Sequence, residues 1–281
     1  MTGGSGMLAQ ALGTELDTRD HEVARPTRFE LDITRLPQLP GALDLIHDVD
    51  AVVNTAAWTA VDDAEADEAG AFGINATGAY VLARACAQAG TRLIHLSTDY
   101  VFAGDASSPY VEDAVLGPVS AYGRTKAAGE WAVRGQCQDA VIVRTAWLYG
   151  PGGRNFVSTM ADLSQKNDQP VRVVDDQWGQ PTSTPDLARF VADILERPDL
   201  SGVFHGTCQG STSWHGLAQA VFEELGHDPS RVVGVPSTEY RRPAPRPTYS
   251  ILAHDRSQEY DLAVLPPWRD SLTACLPALR L

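Results

Sequence analysis

Apolar runs that alternate with helical segments constrain the fold more than any other feature of this sequence. The runs lie at 50–57, 92–96 and 141–144, and longer stretches with helical character separate them, the longest at 63–90. Continuous apolar runs of this length are typical of strands buried on both faces of a sheet. The alternation therefore predicts an α/β protein, with a doubly wound parallel sheet and helices on both faces.

A glycine-rich segment at 2–8 precedes the first helical pattern, which starts near Gln10. Gly3 and Gly6 would let backbone amides approach a pyrophosphate, and the helix N-terminus favours negative charge there. The alternative is an ordinary glycine turn before a helix. With a pyrophosphate loop the sheet would be of the Rossmann type. Because a strand normally leads into such a loop and the sequence starts at Met1, we expect that first strand to be encoded upstream.

The turn after a predicted second strand at 21–25 bears on cofactor preference. Arg28 lies in this turn, where the adenosine ribose is found in dinucleotide sites. An acid here would favour NAD, whereas arginine accepts a 2′-phosphate, so Arg28 favours NADPH unless it is merely exposed. Asp32 could accept a hydrogen bond from the adenine amine, or cap the helix predicted at 36–47.

Tyr122 and Lys126 are four residues apart on a predicted helix, so their side chains lie one turn apart on one face. We expect the ammonium to lower the pKa of the phenol by stabilising the phenolate. Such a tyrosine can donate a proton to a carbonyl oxygen while hydride reaches the carbon. Thr98, after the apolar run at 92–96, would add a second hydrogen bond. A solvated surface pair is the alternative, but the chain has only two lysines, so a chance pairing is rare.

The loop at 103–118 is rich in Gly, Pro, Asp and Ser, and it separates Thr98 from the helix that carries Tyr122. We expect this loop to lie over the active face. Tyr100 and Glu112 are therefore candidates for contacts with a substrate.

The order of elements becomes less regular after residue 150. We predict a dinucleotide-binding domain at 1–150 and a smaller, mainly substrate-binding lobe at 151–281, with some segments returning to the first domain. A basic, proline-rich loop at 241–247 is either a phosphate clamp that includes Arg246 or a surface connection. The elements predicted in this part are a strand at 171–174 and helices at 155–166, 184–197, 213–225 and 268–279.

Composition excludes several classes of partner. The 281 residues carry a formal net charge of -14, which argues against nucleic acid or an anionic membrane surface. No apolar run approaches the roughly 20 residues of a membrane span, and no signal-peptide pattern is present, so we expect a cytoplasmic protein. The four cysteines lie far apart, which favours reduced thiols over disulfides or a metal site.

Several motifs, in this order along the chain, resemble those of the dTDP-4-dehydrorhamnose reductases, within the extended short-chain dehydrogenase/reductases. The most specific are Ser-Thr-Asp-Tyr-Val-Phe at 97–102 and Asp-Gln-Trp-Gly-Gln-Pro-Thr at 176–182. The other segments that carry the resemblance are 2–8, 32–33, 54–59, 122–126 and 246–247. The resemblance implies reduction of the 4-keto group of dTDP-4-dehydro-6-deoxy-L-mannose to dTDP-L-rhamnose by NADPH, with NADH less favoured.

The same resemblance implies roles for individual residues. Tyr122 would donate the proton, Lys126 would hold the nicotinamide ribose, and Thr98 would take a role that serine fills in many relatives. The sugar would be lined by Thr98, Asp99, Tyr100 and Trp147, with Arg246 at the diphosphate. Together with Tyr122 and Lys126, the cofactor positions from pattern and resemblance are Gly3, Gly6, Met7, Leu8, Arg28, Asp32, Ile33, Ala56, Ala57, Trp58, Thr59 and Leu96.

Two departures from the family pattern affect these expectations. Ala9 replaces the last glycine of the first motif, and Ala11 stands where some members place a glutamate that helps to bind a bridging magnesium. The second argues against a metal-bridged dimer and leaves monomer and homodimer open. Two other functions also stay open: reduction of a related dTDP-4-keto sugar, and a non-catalytic NADP-binding regulatory subunit. The presence of Thr98, Tyr122 and Lys126 argues against the regulatory subunit.

Overall fold

The computed structural model describes residues 1–38, 41–166 and 169–279. The strands are β1 Ala51–Asn54, β2 Arg92–Thr98, β3 Val141–Thr145, β4 Leu148–Tyr149, β5 Val171–Val174, β6 Trp178–Gly179, β7 Thr182–Ser183, β8 Gly202–His205, β9 Thr212–Ser213 and β10 Val232–Val235. The α-helices are α1 Met7–Thr18, α2 Asp44–His47, α3 Val61–Ala66, α4 Glu68–Phe72, α5 Ala79–Ala89, α6 Ala121–Gln136, α7 Phe156–Lys166, α8 Thr184–Leu195, α9 Trp214–Glu224, α10 Asp255–Glu259 and α11 Trp268–Cys275.

A parallel sheet with the strand order β1-β2-β3-β8 lies at the centre of the fold. Leu96 is paired with Val143, and Val143 with Phe204, so β8 from the C-terminal half joins the same sheet. Beside β1, the backbone amide of Thr2 donates to the carbonyl oxygen of Val53 at 3.1 Å. The predicted α/β class with a parallel sheet is therefore confirmed.

Helices cover both faces of this sheet, because successive side chains of a strand point to opposite faces. Val143 packs in one buried cluster with Leu12 of α1 and Leu187 of α8. Its neighbour Ile142 packs in a second cluster with Leu82 of α5. The apolar run at 141–144 is thus buried on both sides, as its continuous apolar character predicts.

A third buried cluster lies outside the central sheet. Tyr149, Val173, Phe222 and Leu272 belong to it, and α7, α9 and α11 contribute to its packing. The predicted strand at 171–174 is confirmed as β5, which pairs in parallel with β10. This region forms much of the wall of a cavity described below.

The predicted second strand at 21–25 is wrong as an element, since the structure has no strand at these residues. A strand requires a ladder partner along its length. At this segment the amino terminus of Met1 donates to the carbonyl oxygen of Ala24 at 2.7 Å. One such contact does not make a ladder, so the segment remains irregular.

Two predicted helices are broken into shorter pieces. The helix expected at 36–47 consists of a 3-10 turn, Leu36–Gln38, and the short α2, while residues 39–40 lie outside the described part. The helix expected at 63–90 consists of α3, α4, a π-helical turn at Gly73–Gly78, and α5. The π turn packs against α6, and its Asn75 carbonyl oxygen approaches Gly129 so closely that a Cβ there would lie 2.2 Å away.

The described part of the chain contains no helix that is both long and apolar enough to cross a membrane. Within the same residues, no group of three or more His, Cys, Asp or Glu side chains is arranged to hold a metal ion. Cys86, Cys137, Cys208 and Cys275 are free cysteines.

Candidate active site

The N-terminus of α6 meets the end of β2 at the centre of the candidate site. Ser120 caps α6 by accepting a hydrogen bond from the amide of Gly123 at 3.1 Å. Gly123 also permits close approach of the Asp99–Val101 turn, because a Cβ there would lie 2.2 Å from the Tyr100 carbonyl oxygen. This packing brings the first turn of α6, which carries Tyr122, against the turn that follows Thr98.

Lys126 is buried and reaches the edge of β2. Its Nζ donates to the carbonyl oxygen of Leu96 at 2.6 Å. Burial lowers the pKa of Lys126 to about 8, while the Glu130 carboxylate one turn further along α6 acts to raise that pKa. The ammonium is therefore held against the strand and is close to losing its charge just above neutral pH.

The expected lowering of the Tyr122 pKa by Lys126 is wrong in this structure. Burial raises the pKa of Tyr122 to about 12, the Thr98 hydroxyl acts to lower it, and the Asp99 carboxylate acts to raise it. The Lys126 ammonium does not offset this rise in the pKa of Tyr122. Tyr122 is consequently a protonated phenol at neutral pH, which is the form that donates a proton.

Thr98, Asp99 and Tyr100 are brought against Tyr122 as the sequence predicts. The Thr98 hydroxyl donates to Oδ1 of Asp99 at 3.0 Å. Burial raises the pKa of Asp99 to about 6, and hydrogen bonds from Ser250 and Thr98 oppose that rise. The Tyr100 ring packs edge-on against the Tyr122 ring, with 5.7 Å between the ring centroids.

A cavity of about 620 Å³, termed the glycine-loop cavity, lies beside α1. Gly3 adopts a φ of +65, and a Cβ there would lie 2.9 Å from the Ala56 backbone, so glycine is required for the close approach of these two segments. The predicted cofactor residues that line this cavity are Gly3, Gly6, Arg28, Asp32, Ile33, Ala56, Ala57 and Thr59. Its shape and glycine-rich wall suit a dinucleotide.

The other predicted cofactor residues do not line this cavity. The side chains of Leu8 and Leu96 are buried in the core, because they lie on the inward faces of α1 and β2. Leu96 can therefore contact a cofactor through its carbonyl group, whereas the buried side chain of Leu8 is not available for such a contact. Met7 begins α1, and its Sδ accepts a hydrogen bond from Nδ2 of Asn155 at 3.7 Å.

Trp58 is held in place by Asn75, which the sequence analysis did not single out as a site residue. The Asn75 side chain accepts from the Trp58 amide at 2.8 Å and donates to the Trp58 carbonyl oxygen at 3.1 Å. It also donates to the hydroxyl of Thr125 on α6 at 3.0 Å. Asn75 thereby ties the loop after β1 to the helix of Tyr122, and both Trp58 and Tyr122 pack against one small buried cluster.

Arg25 also lines the glycine-loop cavity, and the sequence analysis missed it because 21–25 was assigned to a strand. Its Nη2 pairs with Oδ2 of Asp17 at 2.7 Å. Arg28 pairs with Oδ2 of Asp32 at 3.2 Å, and its side chain is 75% exposed. Asp32 in addition accepts hydrogen bonds from the amide and hydroxyl of Thr34, as a turn-capping residue does.

A second cavity, of about 760 Å³, lies on the side of Tyr100 and is termed the arginine cavity. Four arginines contribute to its lining, in a protein of net charge -14. Aromatic, apolar and uncharged polar side chains form the rest of the wall. The lining residues that matter here are Tyr100, Phe156, Trp214, Arg172, Arg241, Arg242 and Arg246. The combination of basic and aromatic groups suits a nucleotide with phosphate groups.

Trp147 belongs to an aromatic stack at this cavity. Its indole lies on that of Trp214 with 3.6 Å between the ring centroids, and its backbone has a φ of 48, in the left-handed region. A Cβ at Gly179 would lie 2.5 Å from the Trp147 indole. The strained backbone and the missing side chain at Gly179 together determine where the indole lies. The sequence did not indicate Trp214, which opens α9 outside any recognised motif.

Glu112 does not reach either cavity, so its prediction as a substrate contact is wrong. Its carboxylate accepts from the amide of Arg256 at 3.2 Å, and its carbonyl oxygen accepts from Arg144 at 2.9 Å. Arg144 is itself buried in a bidentate pair with Glu130. Glu112 is thus part of a buried polar network behind the site.

Comparison with known proteins places these features in a family. The family model described as RmlD substrate binding domain matches residues 1–281. A dTDP-4-keto-6-deoxy-D-glucose reductase of Streptomyces niveus is 45% identical over 280 residues, covering 99% of this chain and 96% of that protein. A dTDP-4-dehydrorhamnose reductase of Streptomyces griseus is 46% identical over 284 residues, covering 99% and 93%.

Solved structures give the same result. The crystal structure of a dTDP-4-dehydrorhamnose reductase from Clostridium acetobutylicum matches with a TM-score of 0.93 at 38% identity, covering 100% of this chain and 98% of that one. A dTDP-4-dehydrorhamnose reductase from Bacillus anthracis, solved in complex with NADP, also has a TM-score of 0.93, at 34% identity, covering 98% and 97%.

Proposed function

Because this chain belongs to the dTDP-4-dehydrorhamnose reductase family, we propose that it reduces dTDP-4-dehydro-6-deoxy-L-mannose to dTDP-L-rhamnose with NADPH. The observation that carries the proposal is the position of Tyr122. Its ring contacts Tyr100, which lines the arginine cavity, and it shares a cluster with Trp58, whose chain neighbours line the glycine-loop cavity. This position supports a role for Tyr122 as a proton donor between a candidate dinucleotide site and a candidate sugar-nucleotide site.

The chemistry requires one hydride and one proton. NADPH bound in the glycine-loop cavity would supply hydride to C4 of the sugar. Tyr122 would donate its proton to the C4 oxygen, and Thr98 would hydrogen bond to the same oxygen. A pKa raised to about 12 keeps Tyr122 protonated before the step, as reduction demands. Lys126, still mostly charged at neutral pH, would stabilise the phenolate that remains.

The preference for NADPH rests on Arg25 and Arg28 at the rim of the glycine-loop cavity. Two guanidinium groups at the ribose end suit a 2′-phosphate, because arginine binds phosphate oxygens through charge-assisted hydrogen bonds. NADH lacks this phosphate and would gain nothing from the two side chains. We therefore propose NADPH as the preferred cofactor and NADH as a weaker one.

The arginine cavity is the proposed site of the dTDP-sugar. Arg246 would meet the diphosphate, while Asp99, Tyr100 and Trp147 would surround the sugar ring next to Tyr122. In this division, residues 1–150 hold mainly the cofactor and residues 151–281 mainly the substrate. The second part also supplies β8 to the central sheet.

The test is to incubate the protein with NADPH and enzymatically prepared dTDP-4-dehydro-6-deoxy-L-mannose while following the loss of NADPH absorbance. We expect one NADPH to be consumed per sugar and the product to be dTDP-L-rhamnose by nuclear magnetic resonance. Absence of NADPH oxidation with any dTDP-4-keto sugar would instead support a regulatory subunit that binds NADP without turnover.

A related dTDP-4-keto sugar is the second candidate substrate. It is favoured by the similarity to the Streptomyces niveus protein, whose name gives a 4-keto-6-deoxy-D-glucose substrate. The two candidates differ in sugar configuration, which the shape of the pocket around Trp147 would decide. Comparing kcat/KM for both sugars, and the C4 configuration of each product, separates them.

A further inference from the structure

One carboxylate, that of Asp62 at the start of α3, binds three donors from the basic loop at 241–247. Oδ1 of Asp62 accepts from Nη2 of Arg246 at 2.9 Å and from the amide of Ala244 at 3.2 Å. Oδ2 accepts from Nη1 of Arg242 at 3.5 Å. A residue from the part of the chain at 1–150 thus holds a loop that lines the arginine cavity.

The far end of the basic loop is held against Gly104, where the Thr248 hydroxyl donates to the Gly104 carbonyl oxygen at 3.0 Å. The amides of Thr248 and Tyr249 both donate to the carbonyl oxygen of Gly104 at 2.9 Å. Pro247 packs directly on Gly104, where a Cβ would lie 2.4 Å from Cβ of the proline. These contacts locate the backbone after Arg246, but they do not orient its guanidinium group.

The two terminal nitrogens of the Arg246 guanidinium differ in whether they have a hydrogen-bond partner. Nη2 is engaged by Asp62, and the side chain lies over the Tyr100 ring, 5.9 Å from the centroid. Nη1 is buried and has no hydrogen-bond partner among the described residues. A buried charged donor without an acceptor is unfavourable, so an anionic oxygen is the expected partner of this nitrogen.

We infer that Asp62 is a positioning residue for the nucleotide part of the substrate, acting through Arg246. This inference rests on the proposed function, since it takes a nucleoside diphosphate as the ligand of the arginine cavity. Asp62 itself does not touch the ligand. It holds Nη2, so the guanidinium presents Nη1 to a phosphate oxygen and the basic loop keeps its place at the cavity wall.

The opposite possibility is that Asp62 competes with the diphosphate for Arg246. The geometry opposes it, because Asp62 binds Nη2 and leaves Nη1 without a hydrogen-bond partner among the described residues. The two possibilities predict opposite changes in nucleotide affinity when the Asp62 carboxylate is removed. Removal of a positioning carboxylate weakens nucleotide binding, whereas removal of a competing carboxylate strengthens it.

The experiment measures binding of dTDP by calorimetry to the full chain and its variants. We expect Asp62→Ala to raise Kd for dTDP about tenfold and to raise KM for the dTDP-sugar similarly, with kcat within about twofold and KM for NADPH unchanged. Asp62→Asn keeps the shape and loses the charge, so its effect should be intermediate. Unchanged or tighter dTDP binding in both variants would overturn the inference.

Asp63→Ala is the matched control. It removes the same charge from the same first turn of α3, but this side chain is exposed and makes no ion pair or hydrogen bond with the described residues. We expect less than a twofold change in Kd for dTDP. An effect as large as that of Asp62→Ala would mean that net charge, and not position, is responsible.

A double-mutant cycle tests whether Asp62 affects dTDP binding through Arg246. In an Arg246→Gln background, Asp62→Ala should change dTDP binding by less than twofold, because the residue through which Asp62 acts is absent. Full additivity would overturn the inference. Since dTDP binding needs no turnover, a lack of reductase activity would reject the proposed reaction without rejecting this inference, whereas a lack of dTDP binding by the unaltered chain would reject both.

Discussion

The ammonium of Lys126 donates to the carbonyl oxygen of Leu96, 2.6 Å away, and so joins helix α6 to the end of strand β2. The spacing in the sequence predicts that the same cation lowers the pKa of the Tyr122 phenol. Burial raises the pKa of Tyr122 and lowers that of Lys126. At neutral pH the Tyr122 phenol is therefore protonated, and Lys126 is a cation with a pKa of about 8.

The pH dependence of reduction follows from this arrangement. Burial lowers the pKa of Lys126 from 10.5 to about 8, so the charged form is lost as pH rises through that value. If the charge stabilises the phenolate formed in the reaction, kcat/KM should fall about tenfold per pH unit above pH 8. A profile measured with saturating NADPH that stays flat beyond pH 9 would contradict this role for Lys126.

Tyr122→Phe removes the hydroxyl group that would donate the proton and keeps the aromatic ring. We expect kcat to fall by roughly a hundredfold to ten thousandfold, the usual size of a general-acid contribution, while Kd for NADPH stays within about twofold. Steady-state kinetics and fluorescence titration with NADPH measure the two quantities. Near-normal turnover in this variant would show that another group supplies the proton.

Asp99→Asn should stabilise the protein at neutral pH while lowering activity. Burial raises the pKa of Asp99 from 3.8 to about 6, so at pH 7 the folded state holds a carboxylate that the buried site disfavours. That shift corresponds to a cost on the order of 3 kcal/mol. The cost is present above pH 6, decreases as pH falls from 6 to 4, and vanishes below the unfolded value.

Urea unfolding of the Asp99→Asn variant and the unaltered protein at pH 7.5 and pH 4 tests this sign. We expect a gain of about 1–3 kcal/mol at the higher pH and little difference at the lower one. An equal gain at both pH values would show that ionisation of Asp99 is not the cause.

Arg25→Ala and Arg28→Ala should each raise KM for NADPH about tenfold and leave KM for NADH nearly unchanged. The reason is the loss of a charge-assisted hydrogen bond of roughly 1.5–3 kcal/mol to the 2′-phosphate. Arg35→Ala is a suitable control, because this arginine lies in the same region but not on the cavity wall. Equal losses with NADPH and NADH would exclude a phosphate-binding role.

Gly179→Ala should impair the sugar site without removing any functional group. The added Cβ would lie 2.5 Å from the Trp147 indole, so the indole must move from its stack on Trp214. We expect kcat/KM for the dTDP-sugar to fall roughly tenfold to a hundredfold, as misplacement near the reacting group does. The affinity for dTDP alone should change little.

Gly135→Ala provides the glycine control for this measurement. Gly135 lies near the end of α6 with nothing within 4 Å of an added Cβ. Alanine there should leave the kinetics unchanged and stabilise the helix by roughly 0.5–1 kcal/mol. Unaltered kinetics in both glycine variants would mean that the position of the indole does not limit the reaction.

The sequence by itself determined the class of fold, the family and much of the secondary structure. Apolar runs predicted β3 and β5, and helical spacing placed Tyr122 and Lys126 on one helix, since both depend on neighbours a few residues apart. Membership in the dTDP-4-dehydrorhamnose reductase family was predicted from short motifs and is confirmed by the match over the whole chain. The roles of the individual site residues remain predictions.

Only the tertiary structure decided what each of these side chains meets. Lys126 bonds to Leu96, thirty residues away, and Asp62 holds Arg246, 184 residues away. Burial and charge at such contacts set the pKa of Tyr122 in the direction opposite to that expected from helical spacing. Local sequence governs which residues share a face, whereas the field around a group depends on segments brought together by folding.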